Sequence, residues 1–138
     1  MNSYRIEDLV AGTSASFKVT VTEEMMERFG DITGDRNPLH TDYDYAVVAG
    51  FSGRVSYAML TGSFYSTLVG MYLPGKYALF HSLDAAFVQP VFAGDSLTVY
   101  GEVESVHRAL RQAQIRAHIT NQHGRKVSRA KIKSGILG

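Results

Sequence analysis

The chain has 138 residues, 45% hydrophobic and 20% charged, with a formal net charge of +1 and no cysteine. This length and composition are typical of one folded domain, so we expect a single domain over residues 1–138. The lack of cysteine excludes disulfides and a thiolate nucleophile. The amino-terminal stretch lacks the basic and apolar regions of a signal peptide, and we expect a cytoplasmic protein.

Charge is distributed unevenly along the chain. From His107 to Gly138 there are eight Lys or Arg and no Asp or Glu, whereas the first 106 residues hold six basic and thirteen acidic side chains. Such asymmetry indicates a surface for a polyanion, either nucleic acid or a phosphorylated cofactor such as coenzyme A. It is equally typical of basic strands that face acidic ones within the fold or across a subunit interface.

The first predicted elements are a strand and a helix. Alternating apolar residues predict a strand over Ser16–Thr22. Thr22 is suited to cap a following helix whose first turn is acidic. Gly30 and Gly34 predict the end of that helix. Asp42–Val48 is long enough for one or two further helical turns.

A run without any charge, Val55–Gly75, is the most unusual part of the chain. Apolar residues fall on every side of it, which predicts a long central helix buried all round. Its length is also that of a membrane span. Its five hydroxyls and its final Pro-Gly argue against a span, and we expect no membrane association. These hydroxyls belong to Ser56, Thr61, Ser63, Ser66 and Thr67.

The period of the hydrophobic pattern then changes to two. It predicts four strands joined by short turns, at Tyr77–Val88, Leu97–Val106, Ala109–Thr120 and Lys126–Ile136. Short turns make sequential strands antiparallel neighbours. A helix that is apolar on all sides requires a sheet that curls around it, so the sequence predicts an α+β fold with a curled antiparallel β-sheet around a long central helix.

Catalytic side-chain types are concentrated between Gly30 and His40. Pro38 prevents a continuous helix there, and Asn37 can hydrogen-bond the backbone of the turn. Asp35 and His40 can therefore converge on one water as a general acid/base pair. The alternative is an ordinary polar loop. No His pair or Cys cluster has metal-ligand spacing, so we expect no metal.

The same segment resembles a known family. Thr33-Gly34-Asp35-Arg36-Asn37-Pro38-Leu39-His40 matches the S/T-G-D-x-N-P-L-H pattern of the MaoC-like (R)-specific enoyl-CoA hydratases, which have the hotdog fold. The resemblance continues in the same order over about three quarters of the chain. Its further segments are Gly53-Arg54-Val55, Met59-Leu60, Ser63, Leu73-Pro74-Gly75 and the Gln89–Asp95 turn.

The resemblance implies a hydro-lyase that needs no cofactor. It hydrates a trans-2-enoyl thioester of coenzyme A reversibly to the (R)-3-hydroxyacyl thioester. Asp35 and His40 would activate the water, with His40 as base at C3 and Asp35 as proton donor to C2. Ser63 would help to position Asp35 or the water, and Asn37 would hold the loop.

The start of the central helix departs from the family pattern. Members commonly have V-H-G-M here, whereas this chain has Ser56-Tyr57-Ala58-Met59. Unpaired N–H groups near Tyr57 and Ala58 are expected to face the thioester oxygen. Ala58 would narrow the approach to them, because glycine lets a ligand come closest.

Aromatic and large apolar residues beside the central helix are candidates for the wall of an acyl tunnel, or are simply core. They are Phe29, Phe51, Tyr57, Phe64, Tyr65, Leu68 and Tyr72.

Three other functions stay open at this point. They are a (3R)-hydroxyacyl dehydratase acting on an acyl carrier protein, a hotdog thioesterase, and a non-catalytic acyl-thioester binding domain. The expected partners are an acyl-CoA or acyl-carrier thioester and a second copy of the chain, because family members of this length pair through edge strands. Nucleic acid is not expected.

Overall fold

The computed structural model describes every residue from Met1 to Gly138. It contains four α-helices and five β-strands, and a π-helical turn at Leu68–Tyr72 extends the last helix. In chain order the elements are β1 (Ser14–Thr20), α1 (Glu23–Thr33), α2 (Pro38–Thr41), α3 (Tyr43–Val48), α4 (Ala58–Thr67), β2 (Ala78–Phe87), β3 (Ser96–His107), β4 (Gln112–Thr120) and β5 (Lys126–Ile136).

All five strands form one antiparallel sheet in the order β1-β3-β4-β5-β2. The predicted fold class is confirmed, with α4 packed against a curled antiparallel sheet. The four predicted later strands are found close to their expected bounds. However, β4 begins at Gln112 rather than at Ala109, because the chain turns there and Arg111 has a positive φ of 50°. The first strand lies two residues earlier than predicted, at Ser14–Thr20.

Alternation along the strands places one face of the sheet against α4. In β4 the buried positions are Ala113, Ile115, Ala117 and Ile119, while the residues between them face the other side. Close contact of helix and sheet depends on Gly101 of β3. A Cβ at that position would lie 2.7 Å from Leu68 Cδ2, closer than two carbon atoms can approach.

The central helix begins at Ala58, where the family resemblance places its start, and not at Val55, where the uncharged run begins. Extended backbone precedes it, because the Val55 N–H donates to Leu39 O at 3.1 Å and the Ser56 N–H donates to Val91 O at 2.7 Å. These two long-range hydrogen bonds attach the helix start to α2 and to the segment before β3.

The prediction that this helix is buried all round is wrong for the single chain. One side of it is exposed, and that side carries Met59, Ser63, Ser66, Thr67 and Met71. The hydroxyls that break the apolar pattern thus lie mainly on the open side. None of the helices has the length and hydropathy needed to cross a membrane.

Candidate active site

The segment from Gly30 to His40 follows the end of α1. Thr22 caps the start of this helix as predicted, accepting a hydrogen bond from the Met25 N–H at 3.1 Å. Gly34 ends the helix in the left-handed conformation, with a φ of 75°, which glycine adopts without strain. Its N–H donates to Gly30 O at 2.9 Å. The chain therefore leaves α1 in a fixed direction.

Side chains within the turn hold its shape. The Asp35 carboxylate accepts the Asn37 N–H at 3.1 Å, and the Asn37 side chain accepts the Leu39 N–H at 2.9 Å. Asn37 is thus the cap of α2, and Pro38 occupies the first helical position, where its missing N–H costs nothing. This is the loop-holding role predicted for Asn37 by its residue type.

His40 is oriented by the strand-like segment before α4. Its Nδ1 lies 2.7 Å from the Val55 carbonyl oxygen. Because a carbonyl can only accept, Nδ1 carries the hydrogen, and neutral His40 presents Nε2 with a free lone pair. A histidine held in this tautomer can take a proton through Nε2.

Tyr57 connects Asp35 and His40, which do not hydrogen-bond each other. Its hydroxyl donates to the backbone carbonyl oxygen of Asp35 at 2.7 Å. Its ring lies against the His40 ring, 4.1 Å between centroids, and against Phe29 at 5.0 Å. Burial and, to a smaller extent, the Asp35 charge raise the pKa of Tyr57, so the hydroxyl remains a donor. In this chain Tyr57 therefore positions both members of the predicted pair.

Gly30 makes room for the tyrosine. A Cβ on Gly30 would lie 2.7 Å from the Tyr57 hydroxyl oxygen, and no side chain larger than hydrogen fits without displacing it. This glycine lies within α1, so its absence of a side chain matters for close approach rather than for backbone conformation.

An ion-pair cluster fixes the loop before α4 to the same helix. The Arg54 guanidinium lies 2.9 Å from the Glu27 carboxylate and 3.5 Å from that of Glu23. The hydrogen bond to Glu27 is the largest cause of the raised pKa of Arg54. The segment that leads to Tyr57 is thereby anchored on α1.

A cavity of about 270 Å³ opens beside the start of α4. Val55, whose carbonyl holds His40, is part of its wall, and so is Ala58 at the first position of α4. The other lining residues are Phe51, Ser56, Thr61, Phe87, Val88, Gln89, Pro90, Val91 and Val127. His40 is thus joined through Val55 to the wall of a mostly apolar cavity, while neither His40 nor Asp35 is itself a lining residue.

Two backbone N–H groups at the start of α4 have no hydrogen-bond partner, and one of them belongs to Ala58 in the cavity wall. Intrahelical bonding begins at Leu60 and Thr61, whose N–H groups both donate to Tyr57 O. Those of Ala58 and Met59 have no partner in the chain, as is usual for a helix start. No three metal-ligating side chains lie together.

The structure does not bring every predicted site residue to this cavity. Ser63 is exposed and its hydroxyl donates to Leu60 O at 2.6 Å, while Phe64 belongs to the hydrophobic core. The predicted residues Asp35, Asn37, His40 and Tyr57 are also not among the residues that line the cavity. Of the large residues weighed as a tunnel, Phe51 alone lines the cavity, and the others are in the core or packed against it.

Sequence reasoning missed most of the cavity wall. Phe87, Val88 and Val91 come from the end of β2 and the loop after it, and Val127 comes from β5. The Gln89–Asp95 turn was the one signal for this region. Its Asp95 carboxylate accepts the Phe92 N–H at 2.9 Å, so the motif shapes the turn that carries the wall.

The basic residues of the final third gather on the sheet face opposite α4. Arg116, Lys126, Arg129 and Lys131 line a groove of about 430 Å³ there. Arg116 alone among them forms an ion pair, with Glu102 at 3.4 Å. His118 lies among them, and burial first, then Lys126 and Arg116, lower its pKa. Asp84 lines the same groove and lies opposite Lys131 in the β2–β5 register, so acidic residues neighbour Arg116 and Lys131, and only Arg116 forms an ion pair.

These features define a hotdog domain whose candidate site lies beside the start of its central helix. The chain belongs to the MaoC-like domain family, whose model matches residues 10–127. The motif resemblance of the sequence is thereby confirmed.

Proteins similar to this chain include enzymes. An (R)-specific enoyl-CoA hydratase of Rhodospirillum rubrum is 36% identical over 92 residues, which are 67% of this chain and 64% of that protein. An (R)-specific enoyl-CoA hydratase of Aeromonas caviae is 30% identical over 118 residues, 86% of this chain and 88% of that protein.

Solved structures show the same fold. The (R)-hydratase from A. caviae superposes with a TM-score of 0.90 at 27% identity, covering 94% of this chain and 98% of that one. An R-hydratase from Pseudomonas aeruginosa has the same TM-score and identity, covering 96% of this chain and 85% of that one.

Proposed function

We propose that this protein hydrates trans-2-enoyl-CoA reversibly to (R)-3-hydroxyacyl-CoA. The observation that carries the proposal is the orientation of His40, whose Nδ1–H is held by Val55 O so that Nε2 is free. The similar enzymes named (R)-specific enoyl-CoA hydratase support the same reaction.

His40 and Asp35 are assigned the proton transfers. His40 Nε2 takes a proton from water as the water oxygen bonds to C3. The electron pair of the C2–C3 double bond moves toward the thioester oxygen. Asp35, which has taken up a proton from solvent before the step, delivers that proton to C2 and becomes a carboxylate. Asp35 is exposed, so solvent returns a proton to it when His40 releases its own. One water is added in sum.

The thioester oxygen needs hydrogen-bond donors while it carries enolate charge. The Ala58 N–H is assigned this role, because Ala58 lines the cavity and its N–H has no partner in the chain. The positive end of the α4 dipole adds to the stabilisation. The acyl chain then extends into the 270 Å³ cavity.

The carrier of the acyl group is proposed to be coenzyme A. A dehydratase acting on an acyl-carrier thioester would run the same steps in reverse, and a protein named 3-hydroxyacyl-[acyl-carrier-protein] dehydratase from Arabidopsis thaliana is 31% identical over 93 residues. Comparing enoyl-CoA with enoyl-carrier substrates of one chain length separates the two.

The proposal includes a homodimer that pairs through the outer edge of β2. This edge strand has no neighbour on one side, and unpaired strand edges are templates for association. Large apolar side chains on it are 37–51% exposed, namely Leu79, Phe80, Leu83, Phe87 and the adjacent Val88. Light scattering should give twice the chain mass of 15.2 kDa, and a monomer mass would contradict the pairing.

The reaction is tested with crotonyl-CoA, following the loss of enoyl absorbance. Hydration to a product of R configuration supports the proposal. Release of free thiol without hydration would instead identify a thioesterase. Saturable binding without turnover would identify a binding domain, and either result would refute the hydratase assignment.

A further inference from the structure

The cavity beside α4 has a particular polarity. Seven of its eleven lining residues are hydrophobic, and none carries a charge. Its polar side chains are Ser56, Thr61 and Gln89. A charged acyl substituent would therefore be buried without a counter-ion, which is strongly unfavourable, whereas a neutral polar group is not excluded.

Two hydroxyls of this wall lack hydrogen-bond partners. Ser56 is 3% exposed and Thr61 is 2% exposed, and neither side-chain oxygen has a partner in the chain. Buried polar groups in native proteins are nearly always paired. Two unpaired hydroxyls in one wall therefore call for a ligand group that can bond to them.

Buried hydroxyls elsewhere in the protein are all satisfied. The Tyr65 hydroxyl donates to Ser128 Oγ at 2.8 Å, and that oxygen in turn donates to Ala86 O at 2.8 Å. The Ser134 hydroxyl donates to Gly135 O at 3.0 Å. Only the two buried hydroxyls at the cavity are left without partners.

The position of Thr61 along α4 matches a particular atom of the acyl group. It follows Ala58 by three residues, a rise of about 4.5 Å along the helix. In the proposed function the thioester carbonyl lies at the Ala58 N–H. Three bonds in a trans arrangement span about 3.8 Å. Because helical side chains lean toward the N-terminus of the helix, the Thr61 side chain extends back toward Ala58 and comes within reach of C4 of an enoyl group that runs along the helix.

Thr61 is free to turn toward such an atom. Threonine in a helix populates two χ1 rotamers, one of which bonds a carbonyl in the preceding turn. The Thr61 hydroxyl makes no such bond here. Rotation about χ1 of Thr61 therefore breaks no existing hydrogen bond.

We propose that Thr61, together with Ser56, selects 2-enoyl thioesters that carry a neutral oxygen substituent at C4. This inference rests on the proposed hydratase function and names the substrate class of that site. A hydroxyl or carbonyl oxygen at C4 pairs with the Thr61 hydroxyl, whereas a methyl group of equal size leaves it unpaired. A carboxylate at C4 is rejected, because the wall offers no cation.

The test compares trans-4-hydroxybut-2-enoyl-CoA with trans-pent-2-enoyl-CoA, which differ by a hydroxyl in place of a methyl group. The wild-type protein should have the higher kcat/KM for the hydroxylated substrate. Thr61→Val, which keeps the shape of the side chain and removes its hydroxyl, should lower the ratio of the two kcat/KM values about tenfold, the loss of one hydrogen bond. Thr61→Ser, which keeps the hydroxyl, should retain the preference for the hydroxylated substrate. It is the second variant to measure if Thr61→Val folds poorly.

A matched control is Thr67→Val, the same change on the exposed side of α4. It should leave the ratio unchanged. Equal kcat/KM values for the two substrates in the wild-type protein, or an unchanged ratio in Thr61→Val, would overturn the inference while leaving the hydratase intact. Failure to hydrate these substrates and crotonyl-CoA alike would instead overturn the proposed function, and this inference with it.

Discussion

The contact between Tyr57 and Gly30 allows a quantitative test of how the site is held. Gly30→Ala places a Cβ 2.7 Å from the Tyr57 hydroxyl oxygen, 3.1 Å from Arg36 Nη1 and 3.4 Å from Asp35 O. The Arg36 atom is the end of an exposed, flexible side chain and can move aside. The Tyr57 hydroxyl cannot move aside in the same way, because it lies between the new Cβ and Asp35 O, to which it donates. Overpacking of this kind costs about 1–3 kcal/mol.

Removing the Tyr57 hydroxyl should relieve the overpacking that Gly30→Ala causes. Alanine in a helix interior is favoured over glycine by about 1 kcal/mol. In the wild-type background the two effects oppose each other, so Gly30→Ala should be neutral or destabilising by up to about 2 kcal/mol. In a Tyr57→Phe background the same change should stabilise the protein by up to about 1 kcal/mol. Tyr57→Phe alone should cost about 0.5–1.5 kcal/mol through the lost hydrogen bond.

The assay is urea denaturation of the four proteins, with equal m values as the check on two-state unfolding. Hydration rates measured in parallel should fall about fivefold in Tyr57→Phe, because Asp35 loses a hydrogen bond worth about 1 kcal/mol that fixes its position. If Gly30→Ala had the same effect in both backgrounds to within about 0.5 kcal/mol, the two residues would not be coupled and the reasoning would be refuted.

Two further predictions concern α4. Ala58→Gly should cost up to about 1 kcal/mol of stability and leave turnover of crotonyl-CoA equal or higher, and a large loss of turnover would contradict the placement of the helix start at the substrate. Burial raises the pKa of Tyr65 to about 12, whereas the unfolded chain ionises near pH 10. The resulting stabilisation is complete below about pH 10 and is lost as the pH rises through about 12, in all about 3 kcal/mol. In Tyr65→Phe, the free energy of unfolding measured with urea should no longer fall by this amount at alkaline pH. An unchanged fall would refute the prediction.

The strands and caps were predictable because their signals are local. In β4 the apolar residues recur at every second position, which by itself separates the buried face from the other. Thr22 and Gly34 bound α1 through hydrogen bonds to residues at most four positions away. The turn geometry of Asn37 and Pro38 is likewise a property of the residues themselves.

The extended backbone before α4 was not predictable in the same way, although the family resemblance placed the helix start at Tyr57 and Ala58. Nothing within the uncharged run marks Val55 and Ser56 as extended, because their N–H groups bond to Leu39 and Val91, distant in sequence. The cavity wall was unpredictable for the same reason. Phe87 and Val127 are brought together in it by the pairing of β2 with β5, which are distant in sequence. Tyr57 was recognised as a departure from the family pattern, but its contact with Asp35 requires the packing of α1 against the helix start.

The most direct test of the account is the turnover of crotonyl-CoA by Asp35→Asn, by His40→Ala and by the protein carrying both changes. Each single change should lower kcat about 10²–10⁴-fold with the fold intact, as loss of a general acid or base does. If the two side chains act in the same addition step, the double change should cost no more than the worse single one, because residues that act as a unit are not additive. Near-normal turnover in either single variant, or losses that multiply in the double variant, would contradict the account.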